Sequence, residues 1–296
     1  MLRSIKYEMN VMLNKKEFAC TMCFMMAFCV IAMMSAVVEC REDYFIYSVS
    51  ANIKFIGSTY SPLWSVFTYV FSFAVVIPHS MSYIGDLDTG ICPYIFVRSG
   101  RVKYYLSKIC AAFFGNVLIV AIPFLINLVL CMIALTTKPN YSFGFYGSQG
   151  FSEIVLGIGY IFQAEHMALP LAEVFVNAPT LYSLLYIVFI SFNAGVFGVF
   201  VLCVSFLFHK NRALLFLPVY LFVLITSVIT NNALTAAISD PQIEFINYSF
   251  MDYLGSFGYG GKNPIFLLTV YVVIAILSVL ITLQTVKKDP IELNEV

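Results

Sequence analysis

A chain of 296 residues that is 61% hydrophobic and 11% charged, with a mean hydropathy of +0.90, has too few polar side chains to cover a water-facing surface. These values exclude a soluble globular fold and predict an all-α integral membrane protein whose architecture is set by its apolar runs. Lys and Arg number 16 and so do Asp and Glu, so no excess charge points to nucleic acid or to a polybasic tail.

Residues 1–17 carry Leu2, Ile5, Met9 and Met12 or Leu13 at helical spacing with basic residues between them, the pattern of an amphipathic interfacial helix. The apolar run that follows, 18–38, is longer than the about 7–15 residues of a signal-peptide core and reads as a retained first span; Glu39, Glu42 and Asp43 end it. A second span is expected over 61–82, with Tyr60 and Trp64 as interface anchors and Pro78 placed to kink or end it. After a polar stretch, 85–108, the third span covers 110–134. The largest loop, 136–179, contains an apolar segment at 151–163 that is too short to cross and suits an interfacial or re-entrant helix. The fourth and fifth spans, 181–208 and 213–230, are joined by the basic turn His209 to Arg212, which makes them antiparallel neighbours. A mixed segment, 231–263, leads to the sixth span at 264–286.

Positive charge sets the orientation of such a chain. One side holds Arg3, Lys6, Lys15, Lys16, Arg98, Arg101, Lys103, Lys108, Lys210, Arg212, Lys287 and Lys288, and the other only Arg41, Lys54, Lys138 and Lys262. The first side is therefore expected to be cytoplasmic, with both termini and the loop 85–108 on it, and 39–60, 136–179 and 231–263 facing outward.

Candidate chemistry is sparse. The six expected spans contain no Asp, Glu, Lys or Arg, which disfavours ion-coupled transport. Their polar candidates, His79, Asn116, Asn127 and Asn193, read first as interhelical hydrogen-bonding groups. The glycine-rich stretch 255–263 lacks the Gly and the Ser or Thr that a phosphate loop requires, having Ser256 and Asn263 there instead. Glu165 and His166 form an adjacent pair without a third partner, and no paired Asp or H-E-x-x-H appears. Of the eight cysteines most lie in apolar runs, and the C-x-x-C at Cys20 and Cys23 is expected to pack rather than to bind metal or cycle between redox states. Asn140-Tyr141-Ser142 and Asn247-Tyr248-Ser249 match the glycosylation triplet by a pattern too common to argue from. Ala111 with Gly115, Ser191 with Gly195 and Ala194 with Gly198 allow close helix approach within or between subunits.

The most informative segment is Asp86-Leu87-Asp88-Thr89-Gly90 followed by Arg98-Ser99-Gly100-Arg101-Val102-Lys103-Tyr104-Tyr105-Leu106-Ser107-Lys108. Acidic residues and a glycine after the second span, then two arginines about a small turn and an aromatic run ending in lysine at the third, resemble the permease subunits of type-2 ABC transporters. The resemblance extends to the N-terminal amphipathic helix, the six spans and the outer segment before the last span. As sequence it is carried by about residues 62–135. It implies that 85–108 holds a short helix docking into a separate ATPase subunit, with Asp86, Asp88, Gly90, Arg98, Arg101, Tyr104, Tyr105 and Lys108 as the coupling residues. It further implies a second permease subunit as partner, ATP and magnesium bound by the ATPase and not by this chain, and a place in a cell membrane, expected to be a bacterial plasma membrane. The aromatic and Met-rich spans suit export of a hydrophobic or amphipathic substrate such as a peptide, antibiotic or lipid. Topology and anionic headgroups alone also account for the basic residues of 98–108, and two other classes remain: a non-transporting anchor or sensor with ligand-binding outer loops, and an intramembrane enzyme, which the lack of a polar constellation disfavours.

Overall fold

The computed structural model describes residues 2–42, 51–59, 61–78, 82–135, 174, 178–208, 212–239, 246–256 and 264–287, and among them every regular element is helical. The readings made on 136–173, on His79, on His209 to Asn211, on 257–263 and on the glutamate–histidine pair lie outside the described residues. We number the helices α1 (Leu2–Leu13), α2 (Lys16–Glu42), α3 (Ala51–Lys54), α4 (Trp64–Val76), α5 (Ser82–Asp88), α6 (Cys92–Ser99), α7 (Arg101–Ala134), α8 (Pro179–Leu207), α9 (Leu217–Ser239), α10 (Phe250–Leu254) and α11 (Pro264–Lys287).

Among the described residues five helices, rather than the expected six, are long and apolar enough to cross a membrane: Lys16–Val38 within α2, then α7, α8, α9 and α11. This accords with a multi-pass membrane protein. The expected second span is represented by α4, whose 13 residues extend about 20 Å, short of an apolar core about 30 Å thick. Its apolar run is continuous, but the turn at Ile77 and Pro78 ends it, since proline supplies no amide donor to the next helical turn.

Two boundaries shift for related reasons. α7 begins at Arg101 and not near residue 110, giving a helix of 34 residues. Residues 101 to 108 contain no glycine or proline to interrupt a helix, so the break falls at Gly100, whose φ of +81° glycine adopts without strain. Likewise α9 runs nine residues past Thr230 to Ser239, because Ala233, Leu234, Ala236 and Ala237 sustain a helix where polarity alone suggested a loop. α8 and α11 begin at Pro179 and Pro264, the first-turn position that proline favours, and both lie close to the expected limits.

α7 and α8 lie side by side through the centre, with α1 and α2 against α7 and α11 against α8. Glycines set this spacing. A methyl group at Gly195 would come within 2.8 Å of Phe113 Cδ2 and 2.9 Å of Val117 Cγ2, and one at Gly198 would meet the Asn116 amide, 2.6 Å from Cγ. Gly115 is covered by the side chain of Met12. The small residues singled out in the sequence therefore mediate packing within this chain. An aromatic column fills the interior: the Phe67 ring lies 5.0 Å from Phe124 and 5.9 Å from Phe71, which meets Phe197 at 6.1 Å. Cys29, Cys92, Cys131 and Cys203 are buried, whereas Cys20 and Cys23 are exposed on α2 and do not pack as expected.

Gly198→Val is expected to lower the midpoint of thermal unfolding in detergent, since overpacking a tight contact costs about 1–3 kcal/mol. Asn116→Ala in the same chain should recover part of the loss. Additive effects of the two substitutions would show that Gly198 and Asn116 are not in the contact described.

Candidate functional site: a buried ion cluster beneath an exposed elbow

The residues of 85–108 do not form a loop. They make α5, a turn, the eight-residue α6 and the first turns of α7, and the eight residues expected to act together separate into two layers. Asp88 and Gly90 are exposed at the α5–α6 turn, where Gly90 has φ +66°. Arg98 is exposed near the end of α6, and Arg101 is half-buried at the start of α7. Tyr104, Tyr105 and Lys108 are buried, and Asp86 partly so.

The buried layer is built by helical spacing. Ser82 and Asp86 are four residues apart on α5, as are Tyr104 and Lys108 on α7, so each pair presents two groups from one face. The Lys108 ammonium, 1% exposed, lies 2.7 Å from Asp86 Oδ2 and donates to Ser82 Oγ at 2.8 Å. Tyr104 donates its hydroxyl to the same Asp86 oxygen at 2.7 Å, and its ring centroid is 5.1 Å from the ammonium. Cys92 Sγ of α6 is 3.6 Å from the Tyr104 hydroxyl. A fourth helix enters through Glu8 of α1, whose Oε2 is 3.5 Å from Lys108 Nζ. Around the cluster Tyr83, Tyr105 and Phe206 stack edge to face at 4.8–5.1 Å, and Ile281 and Val286 of α11 close the apolar wall.

Glu8 and Ser82 were not among the expected site residues. Glu8 did leave a trace in the sequence: it is the lone acid of α1 and falls on the face of Ile5 and Met12, where an apolar residue is due. Burial, outweighing the attraction of Lys108, raises the Glu8 carboxyl above its ordinary value of 4.5. The charged groups facing it are Lys108, Asp86 and Lys15. Burial, with the neighbouring Lys108 charge, pushes the Lys15 ammonium below its ordinary value.

The outer layer is the elbow between α6 and α7. Tyr94 and Val97 are 79% and 91% exposed, with Ile91 and Val102 about half so, and Arg98 and Lys103 flank them. Exposed apolar side chains rimmed by charge mark a contact surface. Sequence reading selected the charged residues here and passed over Val97 and Tyr94, the latter of the same residue type as the buried Tyr104 and Tyr105.

Away from this end, two of the three described asparagines hydrogen-bond between helices as expected. Asn127 donates to the Cys29 carbonyl at 2.7 Å and accepts from the Ile56 amide at 2.9 Å, and Asn193 accepts from the Tyr271 hydroxyl at 2.7 Å. Asn116 instead donates to Ala112 of its own helix. Asn247, of the second glycosylation triplet, is fully buried and donates to Asp252 at 3.1 Å. No family model matches this chain, and neither a curated protein nor a solved structure matches it.

The docked form of α1 holds the Glu8 proton more firmly than a free helix would, so linkage makes docking stronger as pH falls and weaker as pH rises, over the range above about 4.5. The protection of the α1 amides, taken as the exchange rate relative to the intrinsic rate at each pH, should accordingly rise on mild acidification. Glu8→Gln should abolish that slope and hold α1 at neutral pH at least as well as Glu8 does; faster exchange in this variant at neutral pH would reverse the sign argued here. Lys108→Met, which leaves two buried carboxylates without their cation, is expected to destabilise the protein by about 3–5 kcal/mol, as a lowered unfolding midpoint.

Proposed function

We propose that this chain is the membrane-spanning permease subunit of an ATP-driven transporter of the type-2 ABC class, pairing with a second permease subunit and with separate ATPase subunits that bind ATP and magnesium. The observation that carries the reading is the two-layered elbow, an exposed apolar and basic patch on α6 seated on a buried ion cluster that ties it to α1, α5 and α7. A helix meant to receive a push from a partner needs both parts: a surface for the partner, and a rigid connection to the spans behind it. Tyr94, Val97 and Arg98 form the contact, whereas Tyr104, Tyr105 and Lys108 act as its support. In this reading α4 completes a six-crossing path, both termini lie on the cytoplasmic side with the elbow, and the chain resides in a bacterial plasma membrane. The aromatic column suits export of a hydrophobic or amphipathic substrate.

The test is to establish whether an ATP-binding cassette protein is encoded beside this gene and to co-express the two chains, followed by affinity purification. The parent chain should retain the ATPase and stimulate its ATP hydrolysis. Tyr94→Ala, Val97→Ser and Arg98→Ala combined should reduce retention at least tenfold, with the unfolding midpoint unchanged because these side chains make little of the core. Failure of the parent chain to retain any such ATPase would overturn the permease reading and favour an anchor or sensor.

A further inference from the structure

The apolar side of α1 is occupied by protein rather than by lipid. Met12 lies over Gly115 of α7 and belongs to the core, Met9 packs against that core, and Glu8 meets Lys108. A basic amphipathic helix at a membrane ordinarily buries its apolar face between lipids. Here that face is already covered, and α1 turns its other side outward. Arg3, Lys6, Tyr7, Asn10 and Leu13 are exposed, Tyr7 by 64% and Leu13 by 42%, and their spacing by threes and fours puts them on one face. Lys16, exposed at the start of α2, extends this face. Among the described residues no carboxylate lies within ion-pairing distance of Arg3, Lys6 or Lys16. The exposed acid beside them in sequence, Glu17, stands in the first turn of α2, where a carboxylate complements the helix N-terminus.

Two contacts fix the depth of this face. Asn127 donates to the Cys29 carbonyl, so these two residues share a level. From there Lys16 lies about 20 Å back along α2 and Gly115 about 18 Å back along α7, which sets Lys16 about level with Gly115. On the other side of that level α2 presents Cys20, Phe24, Ile31 and Met34 outward, the exposed side of a helix long and apolar enough to span. α1 runs beside α7 from Gly115 to Lys108, a further distance of about 10 Å along the helix. That is headgroup depth, since the polar layers add about 5–8 Å on each side of a bilayer's apolar core.

We propose that the outward face of α1, with Arg3, Lys6 and Lys16 as its cations and Tyr7 among them, is a binding surface for the headgroups of anionic phospholipids. Three cations without a carboxylate partner match the phosphodiester of such a lipid in charge, and the potential of an anionic leaflet adds to the attraction. The Tyr7 ring, apolar with a polar tip, belongs to the class of side chain favoured at this boundary. A zwitterionic lipid carries the same phosphate together with an ammonium group that cancels it, so the face selects net negative charge. α1 is then held from both sides, by Lys108 on its inner face and by lipid on its outer one. The proposal goes beyond the permease reading and is independent of it, because it needs only the multi-pass fold and its test needs no ATPase.

The full chain in detergent is titrated with short-chain phosphatidylglycerol and, separately, with phosphatidylcholine of the same chain length, and the lipid-bound forms are resolved by native mass spectrometry. Phosphatidylglycerol should bind at least about tenfold more tightly, from three bases acting together at one surface. Arg3→Gln, Lys6→Gln and Lys16→Gln combined should remove most of that preference. Lys103→Gln with Lys287→Gln, which removes two bases exposed at the same end, should leave it unchanged. Equal affinity of the parent chain for the two lipids overturns the proposal and leaves the face to a protein partner. A preference that survives the triple variant, or that falls equally in the double one, overturns it too, since the attraction then belongs to the charge of the whole end. Should the triple variant fail to fold, the parent chain decides. In vesicles treated with an amine-acetylating reagent, adding phosphatidylglycerol to phosphatidylcholine should slow modification of Lys6 and Lys16 several-fold relative to Lys103 and Lys287 in the same sample. An unchanged ratio overturns the assignment.

Discussion

The arrangement of this protein rests on one ammonium group shared by two carboxylates. Removing Lys108 from water is costly, and the cost is offset only because Asp86, Ser82, Tyr104 and Glu8 surround it with acceptors and a π-face at once. Ser82 and Asp86 come from a short helix, and Glu8 from one that otherwise meets α7 mainly through Met12 over Gly115. α5 is one to two turns long, and α1 is a twelve-residue helix of a length that is marginal in isolation. The ion cluster fixes where both sit against α7, and α6 follows, since it is joined to α5 by a short turn and to α7 through Gly100. An apolar contact in its place would hold the helices together with less directional definition. The same cluster leaves a residual imbalance, because Asp86 alone neutralises Lys108 and Glu8 is a second negative charge in a dry site.

α7 carries a polar anchor at each end of its membrane-length section. Lys108 and Asn127 are 19 positions apart, about 28 Å along a helix, which is close to the thickness of a bilayer core. Lys108 gathers α1 and α5 at one boundary; Asn127 gathers α2 and the segment 51–59 at the other. Between them the contacts are made by small residues against aromatic rings, where van der Waals packing is the main attraction available in lipid. The helix is thus organised as a mast, with directional bonds at its ends and tight, non-directional packing along its middle.

Much of this was legible in the sequence, and the parts that were not share a physical origin. Apolar runs marked α2, α8 and α11 within a few residues, and the end but not the start of α7, because length and hydropathy are local properties. The limit of α9 was misjudged because polarity was taken for the end of a helix, whereas the alanine-rich 233–237 sustains it; at α4 Pro78 was placed to kink or end the span, and the helix stops at Val76 before it. Lys108 was read as a surface charge, as a lysine at the foot of a span is, and only the three-dimensional meeting of Glu8, Asp86 and Tyr104 makes it internal. Tyr94 and Tyr104 have the same chemistry and opposite exposure, which no single-sequence pattern distinguishes. The hydrogen bond that the Ser256 amide donates to the Gly57 carbonyl joins segments so distant in the chain that neither carries a local sign of the other.

The two ends of α7 need not move as one body. Pro123 lies between the anchors, and its lack of an amide proton leaves the carbonyl of Ile119 without its helical donor, a weakness that membrane helices tolerate. From Arg101 to Ile119 the helix is bound to α1, α5 and α8 by the ion cluster and by the glycine contacts at Gly115, Gly195 and Gly198. Beyond Pro123 it is bound chiefly through Asn127 to α2 and to the segment that meets Ser256. If the elbow receives a push, as the permease reading requires, the stiff lower section carries it to residue 119, and the proline turn is where translation can become a tilt. That tilt would act on Asn127 and so on Ile56, one residue before the Gly57 carbonyl that Ser256 engages. The sequence position of Pro123, four residues before Asn127, therefore puts the weakest turn of the longest helix one helical turn from the side chain that holds the far-end segment in place.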